Sequence, residues 1–206
     1  MDLADLRADI IRRAGKRERF MVAIAGPPAS GKSTTAHDLQ KSLVAAGETA
    51  VVVPMDGFHF DDAVLNARGH RPRKGAPFTF DAAGFEHLLR RIRDREPDIA
   101  IPVFDRSMEL SRAAADIVGA DTRFILVEGN YLLLDEAPWT GLRPLFDLTV
   151  FIDVAHEELR NRLIQRWLDH GFDMAYARNW IATNDDLNIA HVLAHRAPAD
   201  VVLTQD

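Results

Sequence analysis

Cysteine is absent from this 206-residue sequence, which removes disulfides, thiolate metal sites and cysteine nucleophiles and is compatible with a reducing compartment. No stretch approaches the ~18 uninterrupted apolar residues of a membrane span. The segment from Met1 to Phe20 carries Asp2, Asp5, Arg7, Asp9, Arg12 and Arg13 and lacks the apolar core of a signal peptide, so export is not expected. A basic excess is missing too: 31 acidic side chains face 25 lysines and arginines, a formal net charge of -6. Surfaces for nucleic acid or anionic lipid need clustered positive charge. The expectation is a cytoplasmic protein with a small-molecule ligand and with neither nucleic acid nor membrane as partner.

At 47% hydrophobic and 27% charged residues, the composition is that of an ordinary globular protein. The length suits one compact domain, 1–206. Leu3, Leu6, Ile10 and Ala14 recur at helical spacing before Gly15, and Phe20 to Ala25 reads as a buried strand. Ala36, Leu39, Leu43 and Ala46 form a second helical stripe closed by Gly47, and the apolar run Ala50 to Val53 stops at Pro54. That strand-loop-helix-strand order makes parallel sheets with a right-handed crossover. Between Asp61 and Pro77 apolar periodicity disappears while Arg68, Gly69, Arg71, Pro72, Arg73, Lys74 and Gly75 accumulate, which predicts a basic loop able to fold over a ligand. A helix around Phe85 to Ile92 follows, then apolar runs at Ile99 to Phe104, Phe124 to Val127, Leu148 to Ile152 and Val201 to Leu203. Helical segments near Glu157 to Leu168 and Asp173 to Val192 lie between the last two runs, so strands and helices alternate in the α/β manner.

The strongest local signal is GPPASGKS, Gly26 to Ser33, which matches GxxxxGK[ST] between a strand and a helix. Glycines at both ends of the loop let backbone N–H groups face a phosphate, and the helix N-terminus adds its positive end. Lys32 then reaches the β- and γ-phosphates of ATP and Ser33 ligates Mg²⁺. The phosphate cradle is expected to comprise Gly26, Pro27, Pro28, Ala29, Ser30, Gly31, Lys32, Ser33 and Thr34.

Ligands of open parallel sheets sit outside the carboxyl ends of the strands. Asp56, Asp105, Glu128 and Asp153 each follow an apolar run. Asp56 or Glu128 could face the γ-phosphate as proton acceptor, and Asp56 is the better candidate; Glu128, in ILVEGNY, has the position of a Walker B acid holding Mg²⁺. Asp105 and Asp153 read more simply as turn caps. His59 either contacts substrate or tunes Asp56, or is an ordinary loop residue. Arg162 and Arg166, four apart, share a helix face and suit a phosphate clamp, against the simpler alternative of a solvated face paired with Glu157 and Glu158. His191 and His195 are also four apart, but Val192 stands where HExxH requires Glu, so a structural role is expected.

GPPASGKST, MDGFH, RGHRPRKGAPFTFD, VFDRS and VEGNYLLL, in this order, resemble the uridine kinase, phosphoribulokinase and pantothenate kinase superfamily over most of the chain, and the pattern is similar above all to the bacterial branch described as fructose transport system kinases. The resemblance implies a three-layer P-loop fold with a five-stranded parallel sheet and a helical lid, here about 156–190. It implies Asp56 as base, Glu128 near Mg²⁺ and Arg162 with Arg166 reaching in from the lid. It further implies that Arg73, Lys74, Tyr131, Asn184 and Asp185 line the acceptor or lid region. The activity expected is transfer of the γ-phosphoryl group of Mg·ATP to a hydroxyl of a sugar or similar metabolite, fructose included. Pantothenate- or uridine-type acceptors and a regulatory ATPase without acceptor remain alternatives. The guanine-reading NKxD motif of GTPases is missing, TNDD at Thr183 to Asp186 being the nearest string. Adenine is expected near Thr204 or Gln205, and a homodimer is left open.

Overall fold

The computed structural model describes residues 2–205; Met1 and Asp206, the bounds of the expected single domain, lie outside the described residues. Helix α1 (Leu3–Ala14) is started by a reciprocal capping box between Asp2 and Asp5. β1 (Phe20–Ala25) is apolar and buried at every position, as only a central strand covered on both faces can be. Helix α2 (Lys32–Ala45) leads to β2 (Ala50–Pro54), then α3 (Asp62–Ala67) and α4 (Ala82–Arg93) follow. β3 (Ile99–Asp105), β4 (Leu110–Val118), β5 (Phe124–Gly129) and β6 (Leu148–Val154) come next, then helices α5 (His156–Asp169), α6 (Met174–Trp180) and α7 (Asp186–His195), and finally β7 (Val201–Gln205).

Five strands form one parallel sheet in the order β2-β5-β1-β6-β7. On one face Leu6 and Ile10 of α1, Leu39 and Leu43 of α2 and Leu159 and Leu163 of α5 pack together; on the other Phe85, Leu89 and Ile92 of α4 pack with Tyr131 and Trp139. Each such side chain, fully withdrawn from water, contributes roughly 1.5–3 kcal/mol. The α/β class and the five-stranded parallel sheet therefore stand as expected. Among the described residues, no helix is long and apolar enough to cross a membrane.

Three local expectations need correction. The run Ile99 to Phe104 lies outside the main sheet: β3 pairs antiparallel with β4 in a separate hairpin. β4 has no apolar alternation because all its residues but Val118 are at least partly exposed. The stretch from Asp61 to Pro77 is ordered rather than an open loop. It contains α3, with the Asp61 carboxylate accepting from the Ala63 amide, and a 3-10 turn at Arg71–Arg73, anchored on the single buried apolar residue Leu65 of α3. The helical stretch from Asp173 to Val192 is two helices joined by a π-helical turn, Ile181–Asp185.

Candidate active site

The loop leaving β1 turns through Ala29 and Gly31, both at positive φ (64° and 83°), and Gly31 ends it as the N-cap of α2. A Cβ at Gly26 would lie 2.5 Å from the Ser30 hydroxyl oxygen, so no larger residue fits there without moving the loop. The amides of Gly31, Lys32 and Ser33 make no backbone hydrogen bond among the described residues, and the first turn of α2 holds no acid to offset its positive end. Ser30 is fully buried, and its hydroxyl has no hydrogen-bond partner among the described residues. Gly26, Pro27, Pro28, Ala29 and Ser30 are buried, Gly31, Lys32 and Ser33 are half-buried and Thr34 is exposed. The loop is thus an anion cradle at a helix start.

Glu128, 5% exposed, sits at the end of β5 in register with Ile24 of β1 and Pro54 of β2. The Ser33 hydroxyl lies near enough to its carboxylate to favour the ionised form. Burial pushes the Glu128 carboxyl above its usual range, with the Asp56 charge adding to the effect and Lys32 opposing it. Asp56 lies in the 3-10 turn Met55–Phe58 that follows β2, and Arg106 Nη2 donates to its carboxylate at 2.9 Å. Burial alone would raise the Asp56 pKa, but His59, Arg106, Lys32 and Arg166 outweigh it and hold the group below the ordinary carboxylate value. Lys32 is shifted down by burial, against the attraction of Glu128 and Asp56. Ser33 with Glu128 offers hydroxyl and carboxylate oxygens, the donors a hard divalent cation takes, directly beneath the cradle. The residues present fit Mg²⁺ and a nucleotide phosphate.

α5 brings its arginines to the same place. Arg166 is close enough to Asp56, Arg106 and Asp185 for each to influence its charge. Arg162 donates to Glu158 at 2.7 Å, the pairing foreseen as the simpler alternative, yet its Nη1 also lies 4.0 Å from where a Gly31 Cβ would stand. Gln205 is next to the loop as well, 3.1 Å from that Cβ position and donating to the Thr35 hydroxyl at 3.2 Å, while Thr204 is exposed.

The residues expected on the acceptor side are held in two groups. His59 stacks on Phe80 at 3.9 Å and leans on Phe104 at 5.1 Å, with its Nδ1 buried and without a hydrogen-bond partner among the described residues; burial lowers its pKa. Arg73, Lys74, Asn184 and Tyr131 form a latch that ties the basic segment to the turn before α7, to α7 and to the stretch after β5. Arg73 donates to Asn184 (3.2 Å) and Asn188 (3.1 Å), Asn184 donates to the Lys74 carbonyl (2.8 Å) and Tyr131 donates to the Gly75 carbonyl (2.6 Å). Lys74 is buried and paired with Asp62 (2.8 Å) and Glu109 (3.0 Å). Asp105 does cap a turn, accepting from the amides of Ser107 and Met108, and Asp153 is exposed. Arg106 was not expected. It stands inside VFDRS directly after a strand-end acid, and only the β3–β4 hairpin, unreadable from periodicity, carries it onto Asp56.

Asp185 yields a pH prediction. Burial pushes its carboxyl up to about 6, against the Trp167 N–H and Arg166, while Asp186 adds repulsion. From an unfolded value of 3.8, ionisation is harder in the folded chain, so Asp185 favours folding at acid pH and that advantage is lost as pH rises through about 6. Asp185→Asn removes the loss. In urea unfolding the variant should gain about 1–2 kcal/mol on the parent between pH 4.5 and pH 7.5, the screened fraction of the full linkage. A constant difference across that range would refute the burial argument.

The profile described as "Phosphoribulokinase / Uridine kinase family" matches residues 21–192. A solved structure titled "putative fructose transport system kinase", from Silicibacter sp. TM1040, superposes with a TM-score of 0.94 and 41% identity, covering 98% of this chain and 99% of that one. The "Putative uridine kinase C227.14" of Schizosaccharomyces pombe is 33% identical over 92% of this chain and 84% of its own. The pantothenate kinase of Rhodococcus opacus is 32% identical over 72% of this chain but only 48% of its own length. With the nucleotide-binding loop, the sheet order and the profile in agreement, the chain belongs to the phosphoribulokinase/uridine kinase family of P-loop kinases.

Proposed function

We propose that this kinase moves the γ-phosphoryl group of Mg·ATP onto a hydroxyl of a sugar or similarly hydroxylated small metabolite, with fructose the first acceptor to test. The observation that carries the reading is Asp56 hydrogen-bonded to Arg106 at 2.9 Å beside the phosphate cradle, with Lys32 and Arg166 within electrostatic reach. In this reading the loop from Gly26 to Thr34 binds the β- and γ-phosphates, and Lys32 neutralises them. Mg²⁺, held by Ser33 and Glu128, supplies further charge neutralisation on the phosphate oxygens when bound. Asp56 takes the proton of the acceptor hydroxyl as its oxygen joins the γ-phosphorus and ADP leaves. Arg162 and Arg166 offset the charge that develops on the transferring group. His59, Arg73, Lys74, Tyr131, Asn184 and Asp185 wall the acceptor side: His59 by its stacked ring, Arg73, Lys74, Tyr131 and Asn184 through the latch on the basic segment, and Asp185 beside Trp167 and Arg166. The lack of cysteine and the use of Mg·ATP favour the cytoplasm as its place of work.

The acceptor is the open variable, since the relatives are named for fructose transport, uridine and pantothenate. ADP release from Mg·ATP should be measured against fructose, other sugars, glycerate, pantothenate and uridine. The expected result is stimulation by a single hydroxylated compound with its phosphate ester as product. A slow basal rate untouched by every compound, with ATP still bound, would replace the kinase reading by a regulatory ATPase. Stimulation by pantothenate or uridine alone would move the acceptor class.

A further inference from the structure

We propose that Glu136, His191 and His195 form a binding site for a divalent transition-metal ion, Zn²⁺ being the best fit, separate from the Mg²⁺ position at Ser33 and Glu128. The histidines lie one turn apart at the end of α7, and the fold brings to them a carboxylate from the segment following β5. His191 Nε2 is 3.0 Å and His195 Nε2 is 3.7 Å from the two oxygens of Glu136, and one ligand atom from each of the three residues lies within 4.8 Å of the others. Around a tetrahedral Zn²⁺ with bonds of about 2.0–2.1 Å, ligand atoms stand about 3.3–3.4 Å apart, so side-chain rotations that draw the three ligand atoms together by at most about 1.4 Å close the site.

The backbone already holds the pieces together. The Asp135 amide donates to the His195 carbonyl (2.8 Å), the Ala197 amide donates to the Leu133 carbonyl (2.7 Å) and Leu134 pairs with Arg196. His195 Nδ1 lies 3.1 Å from the His191 carbonyl, so a proton on that nitrogen leaves Nε2 with its lone pair turned to the site, the orienting contact that metal-bound imidazoles use. Two imidazoles and one carboxylate select a borderline-soft ion over Mg²⁺. Three protein ligands leave a coordination position open, and Glu136 and His191 line a cavity of about 450 Å³ together with Arg73, Trp139 and Asn188. A bound ion ties the last lid helix to the segment that follows Tyr131.

The test uses untagged protein in excess Mg²⁺, titrated with ZnCl₂ by calorimetry and with CoCl₂ by visible absorption. One equivalent should bind, Co²⁺ should show the intense bands of low coordination number, and Zn²⁺ should raise Tm. His195→Ala and His191→Ala should each weaken binding at least about 10-fold, while their unloaded Tm stays near the parent's, because both rings are partly exposed. If the unloaded variants unfold early, His195→Gln serves instead. No binding in the parent, equal binding in the histidine variants, or binding lost on Glu128→Gln but kept on His195→Ala would each overturn the site.

Discussion

Lys32→Ala should lower kcat by about 10²-fold or more, with the circular-dichroism spectrum and sheet intact, because a preorganised charge in a water-poor site does work that bulk solvent does not replace. The lysine stands between Glu128 and Asp56 at the start of α2, buried enough that its own pKa is depressed. Burial disfavours the ammonium there while both acids favour it, the kind of opposed environment found at functional sites. Removing it also withdraws the cation that lowers the pKa of both acids, so the variant's pH profile should shift upward on its acid side. Lys32→Arg is not expected to rescue turnover: a planar fork needs more room than a point charge, and the loop packs closely enough that Gly26 tolerates no Cβ. A folded Lys32→Ala protein with kcat within about threefold of the parent would remove this lysine from the chemistry.

How much of this was readable beforehand follows from where each residue's partners lie in the chain. Gly26 to Ser33 was legible because a phosphate cradle is built from contiguous backbone, and the buried run of β1 supplies its context. Asp56 and Glu128 were legible because apolar runs end just before them and parallel strands end on one side. Arg106 was not legible, since its placement depends on pairing β3 with a polar, exposed β4 that shows no period. The roles of Arg73 and Lys74 were half legible: their charge marked the segment, but ion pairs to Asp62 and Glu109 and hydrogen bonds to Asn184 and Asn188 are long-range or cross-segment facts. His191 and His195 lack the Glu of a zincin motif in sequence, and Glu136, 55 residues from His191, could not be placed beside them from spacing.

Asp56→Asn keeps shape and volume and removes one charge, so it separates proton acceptance from positioning. We expect kcat to fall by roughly 10²–10⁴-fold, the span general-base catalysis supplies, with ATP affinity little changed. The amide oxygen can still accept from Arg106 across the same 2.9 Å, so the hairpin should stay in place and Tm should move little. The pH profile gives the second reading. A base at Asp56 works only when ionised, and His59, Arg106, Lys32 and Arg166 hold its carboxyl below the ordinary carboxylate value despite burial, so the parent's kcat/KM should stay level down to the ordinary carboxylate range before it falls. Glu128 is shifted the other way, above 4.5, by burial and by Asp56 itself. Replacing Asp56 therefore lets Glu128 ionise more easily, and Asp56→Asn should not gain an acid limb at higher pH. Retention of most activity by Asp56→Asn together with its loss in Glu128→Gln would hand the base to Glu128. The carboxylate at the end of β5 would then have to both hold the cation and take the proton, two tasks that compete for the same oxygens.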